Sequence, residues 1–140
     1  MKWSFLNLTF GVLSLACVAC GDEDEEAAGI EIEGTWSSNF GGTETIDDDS
    51  WASESSSFTS VSEIVEFSNE DNMAITRSPD DGTYGRNVWT DVDGGRFYYC
   101  TIAFMQDSAD AAWAAGGTPD ATDPATSGCG GFSWTELTRQ

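Results

Sequence analysis

Residues 96–104 read Arg-Phe-Tyr-Tyr-Cys-Thr-Ile-Ala-Phe, a run dominated by aromatic and β-branched side chains. Such side chains suit a pleated, half-buried surface. Asp93-Gly94-Gly95 stands immediately before it, and Tyr84 to Val92 forms a second β-rich run before that. Asp-Gly between two such runs predicts a tight antiparallel hairpin. Period two puts Tyr98, Cys100, Ile102 and Phe104 on one face of the second arm, and the expectation is that this face turns inward and buries Cys100.

Working outward, the same texture recurs. Ile30, Ile32, Gly34 and Trp36 alternate with Glu31, Glu33 and Thr35, which predicts a half-buried first strand. Gly41-Gly42 breaks it, and Thr43 to Ile46 forms a short second strand. Asp47-Asp48-Asp49-Ser50 reads as a turn leading to Trp51, and Ser53 to Ser57 as a polar loop. Phe58 to Phe67 and Met73 to Arg77 read as strands around a turn at Ser68 to Asn72, with a further turn at Pro79 to Gly82. Ser108 to Ala115 changes period. Ala109, Ala112 and Trp113 share one helical side, Asp107 or Ser108 can cap the start, and Gly116 suits the stop. Thr118 to Gly131 is a Pro/Gly/Thr/Ser-rich loop, and Phe132 to Thr138 is the last strand. The expected fold is all-β: an antiparallel meander of seven or eight strands plus one short helix, closing into a small barrel or sandwich.

The N-terminus carries a different signal. Lys2 precedes a run from Trp3 to Ala19 that is apolar apart from Ser, Asn, Thr and Gly, and Cys20 is followed by Gly21-Asp22-Glu23-Asp24-Glu25-Glu26. A basic start, a short apolar run and small residues before a cut mark an export signal. The run is roughly 17 residues, short of the roughly 20 that a spanning helix needs. Residues 1–19 are read as signal peptide, 20–29 as an acidic disordered tether with nothing to bury, and 30–140 as a single domain. The junction resembles the lipobox of bacterial lipoproteins, which implies lipidation of Cys20 and a membrane-anchored place in the cell envelope. Cys17 competes for the acylation, and cleavage near Ala19 would instead release a secreted protein.

The net charge is −20, with 25 acids against 5 bases. Phosphate binding needs clustered Lys and Arg, so nucleic-acid partners are excluded. His is absent from the chain, which removes His-based triads and imidazole metal ligands. Lys2 leaves with the signal, so no lysine remains for a Schiff base. With Cys20 acylated, Cys100 and Cys129 are the remaining thiols, and in an exported protein such a pair is most simply a disulfide. The loop from Thr101 to Gly128 would gain roughly 3.5 kcal/mol from the bridge on a chain-entropy argument.

Carboxylates, hydroxyls, Tyr and the arginines Arg77, Arg86, Arg96 and Arg139 are what remain for chemistry. Glu63 and Glu66 differ by three and are expected on opposite faces of their strand. The acids at Asp47-Asp48-Asp49 and Asp91-Val92-Asp93-Gly94 lack the spacing of a calcium loop and are read as turn-stabilising; no metal and no cofactor is expected. Trp36, Trp89, Tyr98 and Trp134 are the candidate ligand-contacting aromatics, against the competing reading of aromatics as core.

Gly34-Thr35-Trp36 near the start, the meander, and Leu137-Thr138-Arg139 at the end resemble small lipocalin-like bacterial lipoproteins. That resemblance implies a barrel with Trp36 plugging its base and Arg139 packed over it. The family's Thr-Asp-Tyr loop motif is absent. The resulting expectation is a non-catalytic, monomeric envelope lipoprotein binding a small apolar or sugar-like ligand or a surface component. A pocket-free structural or interaction domain is the alternative, and a carboxylate-dependent hydrolase the outsider.

Overall fold

A computed structural model describes residues 28–140. The signal peptide, Cys20 and the tether up to residue 27 lie outside the described residues. The strands are β1 (Gly34–Ser38), β2 (Thr43–Ile46), β3 (Ser50–Glu54), β4 (Thr59–Ser68), β5 (Met73–Arg77), β6 (Tyr84–Trp89), β7 (Arg96–Gln106) and β8 (Thr135–Arg139). The helix α1 (Ala109–Ala114) lies between β7 and β8. Each strand pairs antiparallel with the next, and β8 returns to β1, so the eight-stranded meander closes as a barrel. Closure removes both sheet edges.

Strand by strand, the expectations were close. The β6–β7 hairpin turns through Gly94 and Gly95, both at positive φ, as the Asp-Gly-Gly sequence requires. The helix forms with Ser108 at its N-cap, accepting from the Ala111 N–H at 3.1 Å. Several boundaries moved, and β6 ends at Trp89 rather than Val92. The last strand starts at Thr135 rather than Phe132, because Cys129 to Phe132 is taken up in a tight bridge of its own. Residues 30–33 form a turn rather than strand, with the Glu33 N–H on the Ile30 carbonyl at 3.0 Å. Their alternation nevertheless reflects burial: Ile30 and Ile32 point into the barrel's end and belong to its core. A strand was also missed, since Ser50–Glu54 pairs with both β2 and β4.

The two ends of the barrel differ. At the closed end, Trp36, Phe97, Leu137, Trp89 and Ile46 pack with Ile30 and Ile32 into one apolar cluster. Trp36 meets Phe97 edge-to-face at 4.7 Å. Its indole N–H donates to the Ile32 carbonyl at 3.0 Å, which ties the incoming segment across the base. Trp89 does the same through Glu31 Oε1 at 2.6 Å. Arg139 lies over the Trp36 ring at 4.4 Å and donates to the Glu33 carbonyl at 3.1 Å. The Asp47 carboxylate accepts from the backbone N–H groups of Asp49 and Ser50 at the β2–β3 turn, and Asp48 accepts from the Ile30 N–H at 2.7 Å. These acids hold turns, and among the described residues no group of three or more His, Cys, Asp or Glu is placed to hold a metal.

The face of β7 reverses the sequence expectation. Register with β8 and β6 puts Phe97, Tyr99, Thr101 and Ala103 inward, and Tyr98, Cys100, Ile102 and Phe104 outward. Cys100 is buried all the same, because the segment between α1 and β8 folds back over the outside of β7 and is bonded to it through Cys129. The Cys100–Cys129 disulfide spans a Cα separation of 5.6 Å. On the neighbouring outer face, α1 covers Met73 and Ile75 with Ala112 and Trp113. Arg86 reaches under the helix to the carbonyls of Trp113 and Ala115 at its C-terminal end, the end where a cation is favoured.

A bulge between Ile64 and Glu66 corrects a second expectation. Glu63 pairs with Arg77 and Glu66 with Ile75, residues of one face of β5, so both acids point outward rather than to opposite faces. The extra residue shifts the alternation by one.

Gly34 is the most constrained position in the base. Its φ is +141°, and a Cβ there would lie 2.6 Å from Arg139 Nη1. Gly34→Ala should lower stability by about 1–3 kcal/mol through backbone strain alone, with further loss as Arg139 is pushed off Trp36. Thermal unfolding followed by near-UV circular dichroism checks this, and an unchanged midpoint would contradict the packing described.

Candidate functional site

The apolar cluster fills only the lower half of the barrel. Above it, the inward positions become polar: Glu44 on β2, Ser53 on β3, Ser62 on β4, Thr76 on β5, Asn87 on β6, and Tyr99 and Thr101 on β7. The same period-two alternation that packs the base thus delivers hydroxyls, an amide and one acid to the open end. The β1–β2, β3–β4 and β5–β6 turns ring this mouth.

Glu44 sits at the boundary between the two halves. It is 5 % exposed. Its Oε2 accepts from the Trp51 indole N–H and its Oε1 from the Tyr99 hydroxyl at 2.8 Å. Burial pushes its carboxyl above the usual range, while the hydrogen bonds from Trp51, Tyr99 and Ser53 pull it back toward ionisation. Burial, followed by the neighbouring Glu44 charge and hydrogen bond, raises the Tyr99 phenol, so it stays protonated and remains a donor. Trp51 packs on Tyr99 with ring centroids 4.9 Å apart, which fixes both donors to the acid.

Two lobes open from this floor. The first, about 490 Å³, lies between the β1–β2 and β3–β4 turns and is lined by Thr43, Ser55, Phe58, Phe40 and Thr135 with Glu44 at its base. The second, about 390 Å³, runs under β4–β7 and is lined by Ser60, Ser62, Thr76, Asn87 and Thr101. In the second lobe the Thr101 hydroxyl donates to Asn87 Oδ1 at 2.6 Å. Ser53 and Tyr99 belong to both lobes. The charged side chains lining either lobe are Glu44, Glu54 and Asp81; no Lys or Arg lines them. Apolar side chains stand at the rim, with Phe40 68 %, Phe58 57 % and Met105 77 % exposed.

The aromatics expected to touch ligand lie elsewhere. Trp36 and Trp89 are core residues of the closed base. Tyr98 faces outward and donates to Glu136 Oε2 at 2.6 Å. Trp134 is buried outside the barrel, its indole N–H on the Asp120 carbonyl at 3.1 Å, inside the disulfide-bonded segment. The structure brings none of these four into the mouth. Trp51 and Tyr99 take that place, with Glu44, Asn87 and the Ser/Thr set. One signal was legible: Glu44 shares the parity of buried Ile46 in Thr-Glu-Thr-Ile, an acid on the apolar side of a short strand.

Outside the barrel, Ile102, Phe104, Pro119, Cys129 and Phe132 line a separate apolar cleft of about 480 Å³ beside the disulfide.

No protein family, curated protein or solved structure matches this chain.

Because the folded-state pKa of Glu44 is raised, the native protein binds more protons than the unfolded chain between the ordinary carboxyl value of 4.5 and the folded value. Stability from this group therefore falls as pH rises through that window. Glu44→Gln removes the charge, keeps its amide oxygen as acceptor for the Trp51 N–H, and turns its NH2 toward the Tyr99 hydroxyl, which can accept instead of donating. Its midpoint should equal or exceed that of the unsubstituted protein at pH 7, with the difference shrinking toward pH 4. Melting curves across pH 4–8 read it, and a difference that grows on acidification would reverse the assignment.

Proposed function

We propose that this protein is a non-catalytic, lipid-anchored lipoprotein of the bacterial cell envelope whose barrel mouth binds a small, neutral, sugar-like ligand. The observation that carries the reading is the mouth itself: a hydroxyl- and amide-lined cup floored by a buried carboxylate. Sugars present hydroxyl edges and apolar C–H faces, and the cup offers partners for both. Ser, Thr, Asn and Tyr groups line its walls, while Phe40 and Phe58 stand at its rim. The acids of the lining, unaccompanied by a cation, disfavour carboxylate or phosphate ligands. A purely apolar ligand would leave the wall groups dehydrated and unpartnered.

Binding rather than hydrolysis fits the acid's partners. Glu44 is held by an indole and a phenol, whereas glycoside hydrolysis uses two carboxyl groups flanking the bond. The anchor reading rests on Lys2, the apolar run and Cys20 with its acidic follower. The chain enters the barrel at its base, where Ile30 and Ile32 are buried, so an anchor on Cys20 and the mouth would serve opposite ends of the domain.

Two measurements test the reading. Screening on an array of neutral glycans followed by calorimetric titration should find a binder, with quenching or shift of Trp51 emission on saturation. Asn87→Ala should weaken that binding by roughly tenfold, in line with the loss of one buried hydrogen-bonding group; absence of any neutral-glycan binding would overturn the ligand assignment. Separately, Cys20→Ala should move the natively expressed protein from the membrane to the soluble fraction, and continued retention in membranes would overturn lipidation there.

A further inference from the structure

The geometry points to a ligand of at least two linked sugar rings, laid across Tyr99 and Ser53 with one ring in each lobe of the mouth. The inference rests on the sugar-binding reading above and specifies the size of the ligand.

The two lobes are neighbouring compartments of one cup. Each is large enough to be a ligand site by itself, at about 490 and about 390 Å³. Their common wall is made by Ser53 of β3 and Tyr99 of β7, inward-facing residues from opposite sides of the barrel. Tyr99 cannot swing aside cheaply. Its hydroxyl is committed to Glu44 and its ring is packed on Trp51, so the wall is a fixed ridge rather than a movable gate. A single compact ring would occupy one lobe and leave the other wet.

The lobes also repeat a common design. Each pairs hydroxyl-bearing walls with exposed apolar side chains at its lip: Phe40 and Phe58 for the first, Met105 for the second. Each has a buried polar group in its depth, Glu44 in the first and Asn87 in the second. Asn87 accepts from Thr101 through its amide oxygen, so its NH2 group supplies donors to that lobe. Two sites of one chemistry, separated by one shared ridge, match a chain of like units joined by a flexible linkage. Both lobes open at the same end of the barrel, so a longer chain can run across the mouth with its ends in solvent.

Chain length is the test. Neutral oligosaccharides of one, two, three and four rings, from the series that scores best on the glycan array, are titrated into the unsubstituted protein. The two-ring member should bind at least about tenfold tighter than the single ring, because the second ring's binding becomes intramolecular, and longer members should add little. Ser62→Tyr, which fills the second lobe from β4, should bring that ratio to about one. Its folding is checked by far-UV circular dichroism and a cooperative thermal transition, and the ratio measured on the unsubstituted protein stands without it. Equal affinity for one and two rings would overturn the spanning ligand and leave the sugar-binding mouth intact. Absence of binding by every member would overturn both.

Discussion

The barrel depends on the contact between its first and last strands. Trp36 of β1 stands opposite Arg139 of β8 in the closing ladder, and the guanidinium covers the indole at 4.4 Å. The cation–π term is modest at such an exposed arginine, about 0.5–1 kcal/mol, but its position gives it leverage. It seals the base over Phe97 and Leu137, and Arg139 reaches the Glu33 carbonyl to hold the entering segment in place. A Cβ at Gly34 would displace that guanidinium and strain the backbone at φ +141°. Ring closure, base packing and chain entry therefore share one set of atoms.

With the base sealed by apolar side chains, the interior is free to be polar at the other end. Small barrels of this strand number hold just enough space for filling side chains or one small ligand, and here the interior is divided along the axis into a filled base and an open cup. Glu44 marks the division. Below it lie Trp36, Ile46 and Phe97; above it lie Ser53, Asn87 and Thr101. A buried carboxylate in such a place is tolerated because Trp51 and Tyr99 satisfy it. Those same two aromatic residues form the floor and ridge of the cup, so the device that stabilises the acid also shapes the cavity.

The outer surface carries a second layer of burial that a simple barrel would lack. Helix α1 covers one patch of β5 and β6, and the disulfide-bonded segment covers β7. This layer explains why Cys100 is buried while facing away from the barrel axis, and why Trp134, adjacent to the last strand, is buried without entering the interior. The cysteine was a sound guide to burial and a poor one to direction. Ring aromatics expected in a ligand site were similarly divided between base and outer layer.

The sequence by itself determined the all-β class, most strand positions, the Asp-Gly-Gly hairpin, the capped helix and the pairing of Cys100 with Cys129, because these follow from period, turn chemistry and the small number of thiols. Tertiary structure alone decided that the sheet closes, which face of β7 is inside, that Glu63 and Glu66 share a face, and that Glu44, Tyr99 and Asn87 meet in one cup. The reason is physical. Alternation states that a strand has two faces, and both faces of β7 carry large apolar or aromatic residues, with Cys100 on the outer one buried by the covering segment, so hydrophobicity could not distinguish them. A single bulged residue at Val65 reverses parity without leaving a compositional trace, and the residues of the mouth come from six different strands that only closure brings together.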